Sequence, residues 1–110
     1  MTILTRLLVS KLPKVSKVRR VVLDVDIPSR ISIVDLANEI LKVPGVKAVN
    51  ITVEETDVDV LGLVVIVEGD NIDFEELKKV IENHGAAIHG VDQIAVGDYI
   101  IEYPVRPTRR

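Results

Sequence analysis

Twice along the chain the spacing of apolar residues switches from alternation to helical periodicity, and that double switch leaves few folds open. In VVLDVDIP, Val21, Leu23, Val25 and Ile27 alternate with Val22, Asp24 and Asp26, the period of a strand with one apolar and one partly acidic face. Pro28 closes it. In SRISIVDLANEILKVPG, Ser32 and Asp35 are spaced as a capping box, while Ile33, Leu36, Ala37, Ile40 and Leu41 fall on one helix face, and Pro44-Gly45 stops the helix. VKAVNITVEE alternates again, and LGLVVIVEG follows it. The switch then recurs: Asp73 and Glu76 make a second capping box, Phe74, Leu77, Val80 and Ile81 share a face, and Gly85 stands where a left-handed C-terminal residue belongs. AIHGVDQIAV reads as a further strand, and YIIEY, past the Gly97-Asp98 break, as a short extra one.

The order β, α, β, β, α, β with right-handed crossovers predicts an α+β, ferredoxin-like sandwich. Its antiparallel sheet has strand order 4-1-3-2, with two helices on one face, a short extra C-terminal strand, and the other face open. An aliphatic core suits it, since hydrophobic residues make up 47% of the chain and aromatic ones 3%. The third strand does not alternate: Leu63, Val64, Val65, Ile66 and Val67 are all apolar, as in a strand covered on both sides. Val22, Val64 and Ile66 are therefore expected to form an exposed patch of the kind that marks an interface.

Charge divides the chain. Residues 1–20 carry six basic residues and no acid, residues 104–110 carry three, and the body between holds all seventeen acids against five basic residues, a net of −12. The expected organisation is a basic extension at 1–18, one domain at 19–103 and a basic tail at 104–110. The tails can bind anions or fold back on the body.

Several functions fail on residue type. Without cysteine there is no disulfide, thiolate metal site or thiol catalysis, which fits a cytoplasmic protein. The longest apolar run near the N-terminus is Leu7 to Val9, short of the roughly 7 to 15 residues of a signal peptide, and nothing approaches the ~18 of a membrane span. RNA recognition would need aromatics where the first and third strands hold Val, Asp, Ile and Glu. A metallochaperone would need a cysteine pair after the first strand, and Arg30 alone in DIPSRIS is weak support for an acyl-phosphate cradle.

Two groups of side chains remain as candidates. Glu55, Asp57 and Asp59, with backbone carbonyls of the turn they share, supply the hard oxygens that Ca²⁺ or Mg²⁺ prefers, although the spacing is not that of an EF-hand; the alternative is a solvated turn. His89 and Asp92 are spaced as a base and its orienter, or as a ligand pair, against the alternative of a hydrogen-bonded histidine at a strand start. His84 sits in a last helical turn, where a cation complements the dipole. Asp24 and Asp26 lie on the open face, where they bind a ligand or keep the sheet soluble.

VNITV at Val49 to Val53, the EG-x-x-IDF run at Glu68 to Phe74 and IH-x-x-D at Ile88 to Asp92 carry a resemblance, from Arg19 to Glu102, to a small uncharacterised archaeal family with a ferredoxin-like, ACT-like fold. The family pattern falls on Asp24, Pro28, Asn50, Glu55, Asp57, Gly69, Asp73, His89 and Asp92; the chain departs from it at Ile27, Ser29, Val64 and Ile66, and residues 1–18 lie outside it. The resemblance implies fold and assembly into oligomeric rings, but no reaction. The expectation is a non-enzymatic homo-oligomeric module that binds a small ligand at Asp24, His89 and Asp92, or a divalent cation at Glu55, Asp57 and Asp59, at subunit boundaries in a regulatory role. The alternatives are a small hydrolase or transferase using His89 and Asp92, or nucleic-acid binding through the basic tails, which predicts steep salt dependence.

Overall fold

The structure is a computed structural model describing residues 17–103. Its elements are β1 (Val18–Pro28), α1 (Ile33–Leu41), β2 (Val46–Thr56), β3 (Val60–Gly69), α2 (Phe74–Asn83) and β4 (Ala87–Val96). All neighbouring strands are antiparallel and the order is β2-β3-β1-β4, the expected ferredoxin-like α+β arrangement. Both capping boxes form on the donor side: Ser32 Oγ accepts from the Asp35 amide at 3.2 Å and Asp73 Oδ1 from the Glu76 amide at 3.0 Å. Gly85 ends α2 with φ +96°, and the Ala86 amide donates back to the Ile81 carbonyl.

Period two on β1 and β3 and period 3.6 on the helices build one core. Val21, Leu23, Val25 and Ile27 of β1 and Leu63, Val65 and Val67 of β3 have no accessible surface and meet Leu36 and Ile40 of α1 and Leu77 and Ile81 of α2. Leu41, expected on the buried side, is exposed at the last residue of the helix.

Three expectations need correction. β1 begins at Val18 rather than Val21, so the strand takes in Arg19 and Arg20 together with Val18, the last residue of the expected 1–18 extension. The reason is pairing: Val18 sits opposite Val96 and Arg20 opposite both Glu68 and Ala95. Tyr99–Tyr103 is not a strand; it leaves β4 without ladder partners, and Glu102 is engaged by the Arg20 side chain instead. Nor is Val22 exposed: it is fully buried outside the helix-side core, set between Ile66 and Gln93 in the register with Arg20 two residues along, and Val64 and Ile66 are half-buried.

Candidate functional site

The register lays out the sheet face that carries no helix as four rows. Ala48, Glu68, Arg20 and Ala95 form the first, and Asn50, Ile66, Val22 and Gln93 the second. Thr52, Val64, Asp24 and Gly90 form the third, and Glu55, Gly62, Asp26 and Ala87 the fourth. Polarity therefore changes along the face, from an arginine at one end, across an aliphatic middle, to carboxylates at the other.

Arg20 organises the basic end. Its Nε donates to Glu68 Oε2 at 2.7 Å and its Nη2 to Glu102 Oε1 at 3.0 Å, while Nη1 reaches Gln93 at 3.4 Å. Those acceptors, Glu102 first and Glu68 second, raise the guanidinium further above its usual range, so the group stays charged at any working pH. At the same end Lys17 holds Asp98 at 2.9 Å and lowers its carboxyl below the ordinary value. Arg20→Ala is expected to cost about 1 to 2 kcal/mol, reduced from a fully buried network because Glu68 and Glu102 are in contact with solvent. Urea unfolding in low and high salt checks this, and a midpoint unchanged in both contradicts it.

At the acidic end β4 is irregular in a way that selects residues. Its register against β1 slips three times; at two of the slips the extra residue lies on β4, Asp92 at one and His89 at the other, and at the third it is Arg19 of β1. A bulge re-aims the side chain it inserts, and both sequence candidates sit at one. His89 Nε2 lies 2.6 Å from Asp26 Oδ2, so the partner the structure gives His89 is Asp26 of β1, the neighbouring strand in the sheet but three strands away in sequence, while Asp92 is exposed on its own bulge. Asp24 lies one row from Asp26 on the same face, and Gly62 floors the gap between Asp26 and Glu55, two strand spacings or about 9.6 Å across.

The β2–β3 turn divides the three acids proposed for a cation. Glu55 follows a register slip at Glu54 and falls opposite Gly62 on the sheet face. Asp57 turns back on its own chain, its Oδ1 accepting from the Val58 amide at 2.6 Å and its amide donating to the Val60 carbonyl at 2.9 Å. Asp59 is exposed, and the carbonyls of Val58 and Asp59 already accept from the hydroxyl and amide of Ser29. Ser29 thus ties the turn to the β1–α1 loop. Among the described residues no three His, Cys, Asp or Glu side chains are arranged to hold a metal ion.

The other conspicuous surface is the free edge of β4. Val91, Ile94 and Val96 are each about half exposed on the side facing the helices, and Tyr99 and Ile101 beyond them are more exposed still. Ile94, Val96, Tyr99 and Ile101, with Ala95, Gly97 and Asp98, line a groove of about 390 Å³. Sequence reasoning placed the apolar patch at Val22, Val64 and Ile66; AIHGVDQIAV was read as a strand, with no surface assigned to it. Asp26 as the partner of His89 was also missed, although Gly90 within a strand is a bulge signal.

A split βαβ sandwich with an acidic sheet face, an apolar free edge and no gathered catalytic or metal constellation among the described residues defines a small ferredoxin-like module. Among those residues no helix is long and apolar enough to cross a membrane. The chain belongs to the uncharacterized ArCR family, DUF211, whose model matches residues 19–110. It is 38% identical over 93 residues to an uncharacterized protein of Methanocaldococcus jannaschii, MJ0319, covering 84% of this chain and 96% of that one. The archaeal resemblance drawn from Arg19 to Glu102 is thereby confirmed.

Proposed function

We propose that the chain is a non-catalytic, homo-oligomeric binding module of the cytoplasm whose subunits meet along β4. The observation that carries this is the apolar free edge. β4 is ten residues long, holds no Lys, Arg or Pro and one acidic residue, and exposes Val91, Ile94 and Val96 beside Tyr99 and Ile101. An edge of that length and polarity invites another chain, and monomeric proteins commonly guard against it with lysines and prolines, which β4 lacks. A head-to-tail contact of β4 with the β2 edge of the next copy repeats around a ring.

Such a contact would set His89 and Asp92 of one copy near Glu55 and Asp57 of the partner subunit. A small ligand, or Ca²⁺ or Mg²⁺, would then bind at the boundary with ligands from two copies, as a regulatory signal of assembly. The described residues of one chain do not gather three ligands. Calorimetric titration of the full chain with each cation tests this. Saturable binding to the assembled protein and its loss in the dissociated Ile94→Glu variant are expected; equal binding to both, or none to the assembled protein, overturns the boundary site. The His89–Asp26 contact at 2.6 Å favours a second reading, a small hydrolase or transferase using His89 and Asp92. A hydrolytic screen unchanged by His89→Ala removes it.

A further inference from the structure

Residues 1–16 and 104–110, which hold most of the expected basic extension and tail, lie outside the described residues. Inside the domain the register sets two other basic side chains apart. Between Val18 and Arg20 the pairing of β1 with β4 slips by one residue, and the extra residue is Arg19; between Val46 and Ala48 the pairing of β2 with β3 slips likewise, and the extra residue is Lys47. Both bulges lie at the Arg20 end of the sheet, and a bulge re-aims the side chain it inserts. Arg19 and Lys47 line one groove of about 490 Å³, a size that suits a small molecule. The ends of β2 and β3 give it Ala48 and Gly69, and the segment after β4 gives it Tyr99 and Ile100.

We propose that this groove binds a small aromatic carboxylate, with Lys47 and Arg19 on the carboxylate and Tyr99 against the ring. The Lys47 side chain has no ion pair or hydrogen bond among the described residues. Arg19 is fixed in place, its Nε donating to the Gly97 carbonyl at 2.6 Å and its Nη1 lying 3.5 Å from Asp70 Oδ1. Those contacts leave further N–H groups of the guanidinium open to a ligand, and its planar fork fits a carboxylate. The charge of the lining selects the anion. Glu68, Asp70 and Asp98 also border the groove, held by Arg20, Arg19 and Lys17 in turn. Paired in this way they do not keep a single negative charge from Lys47, whereas a phosphate dianion would meet each of them with twice the repulsion. The Tyr99 ring is 75% exposed and Ile100 half-buried. A second ring stacks on such a surface, offset or edge to face. Alone, Lys47 would be an ordinary edge-strand lysine that discourages pairing; the groove, the second cation and the aromatic wall set it apart.

The site lies within one chain, so the Ile94→Glu variant should bind as the parent does, whatever becomes of assembly. The probe is 2-naphthoate, titrated at low salt into the isotope-labelled full chain and followed by NMR. Saturable shifts are expected at the amides of Lys47, Ala48, Gly69 and Tyr99. Affinity should fall by roughly tenfold in Lys47→Gln and severalfold in Tyr99→Ala, and be kept in Lys47→Arg. Lys47 and Tyr99 are both exposed, so the spectra of these variants away from the groove should match the parent's. The neutral 2-naphthamide should bind more weakly than the carboxylate, and 2-naphthyl phosphate no more tightly. Absence of saturable shifts in the groove, or unchanged affinity in Lys47→Gln, overturns the proposal. Tighter binding of the phosphate overturns the choice of anion. Binding to an assembled parent that is lost in Ile94→Glu moves the site to the subunit boundary and overturns it as a groove of one chain.

Discussion

Replacing Gly69 with alanine is expected to cost at least about 3 kcal/mol, enough to unfold much of a domain of ordinary stability at room temperature. Gly69 ends β3 where that strand meets the turn between α1 and β2. A Cβ built there would stand 1.9 Å from the carbonyl oxygen of Gly45, 2.9 Å from its carbon and 3.0 Å from the Lys47 nitrogen. All three are backbone atoms, so no side chain can swing away. Nor can Gly45 yield: it has φ +88°, its own Cβ would meet the Asn71 oxygen at 2.4 Å, and its carbonyl accepts from the Asp70 amide at 2.8 Å. Two glycines thus let the α1–β2 turn, which follows the end of α1, and the β3–α2 loop, which precedes the start of α2, pass in backbone contact. Gly90→Ala is the control, since nothing lies within 4 Å of a Cβ there and its effect should stay within about 1 kcal/mol. Urea midpoints of the two variants decide the matter; a Gly69→Ala protein as stable as Gly90→Ala contradicts the packing described.

The second large effect is expected on assembly rather than folding. Ile94→Glu places a charge in the groove of the β4 edge, where the isoleucine is half exposed, so the single chain should lose no more than about 1 kcal/mol. In an interface packed along that edge the same charge would be desolvated among Val91, Val96, Tyr99 and Ile101. A central residue of such a patch is worth about 2 kcal/mol or more, roughly thirtyfold in the dissociation constant for each contact. Ile101→Lys makes the same test from a segment outside the regular elements, so that a loss of assembly in both variants, with far-ultraviolet circular dichroism unchanged, locates the interface. If both variants assemble like the parent chain, the subunits meet elsewhere.

The fold was legible because its determinants are local. Two capping boxes, the period-two runs of β1 and β2 and the left-handed Gly85 are read residue by residue, and they form where expected, although β1 starts three residues earlier. What failed was long-range. Arg20 resembled its basic neighbours in sequence, yet its acceptors Glu68 and Glu102 lie far along the chain, and no local pattern tells a strand arginine from a tail arginine. YIIEY alternates as a strand does, but a strand exists only with a ladder partner, and Glu102 is occupied by Arg20. Val22 was read as exposed because alternation assigns a face without saying what lies over it. The site was less legible still. His89 and Asp92 stood out as chemistry-bearing residues, whereas their positions at two bulges, and Asp26 as the partner of His89, depend on register, which one strand's sequence does not contain.

The account rests on a chain that does not act alone, and the mass of the particle in solution tests that most directly. Light scattering of the full chain during size exclusion, over a dilution series in the micromolar range, should give a multiple of 12.2 kDa that shrinks toward a single chain in Ile94→Glu. A mass of 12.2 kDa for the parent protein at every concentration would contradict it.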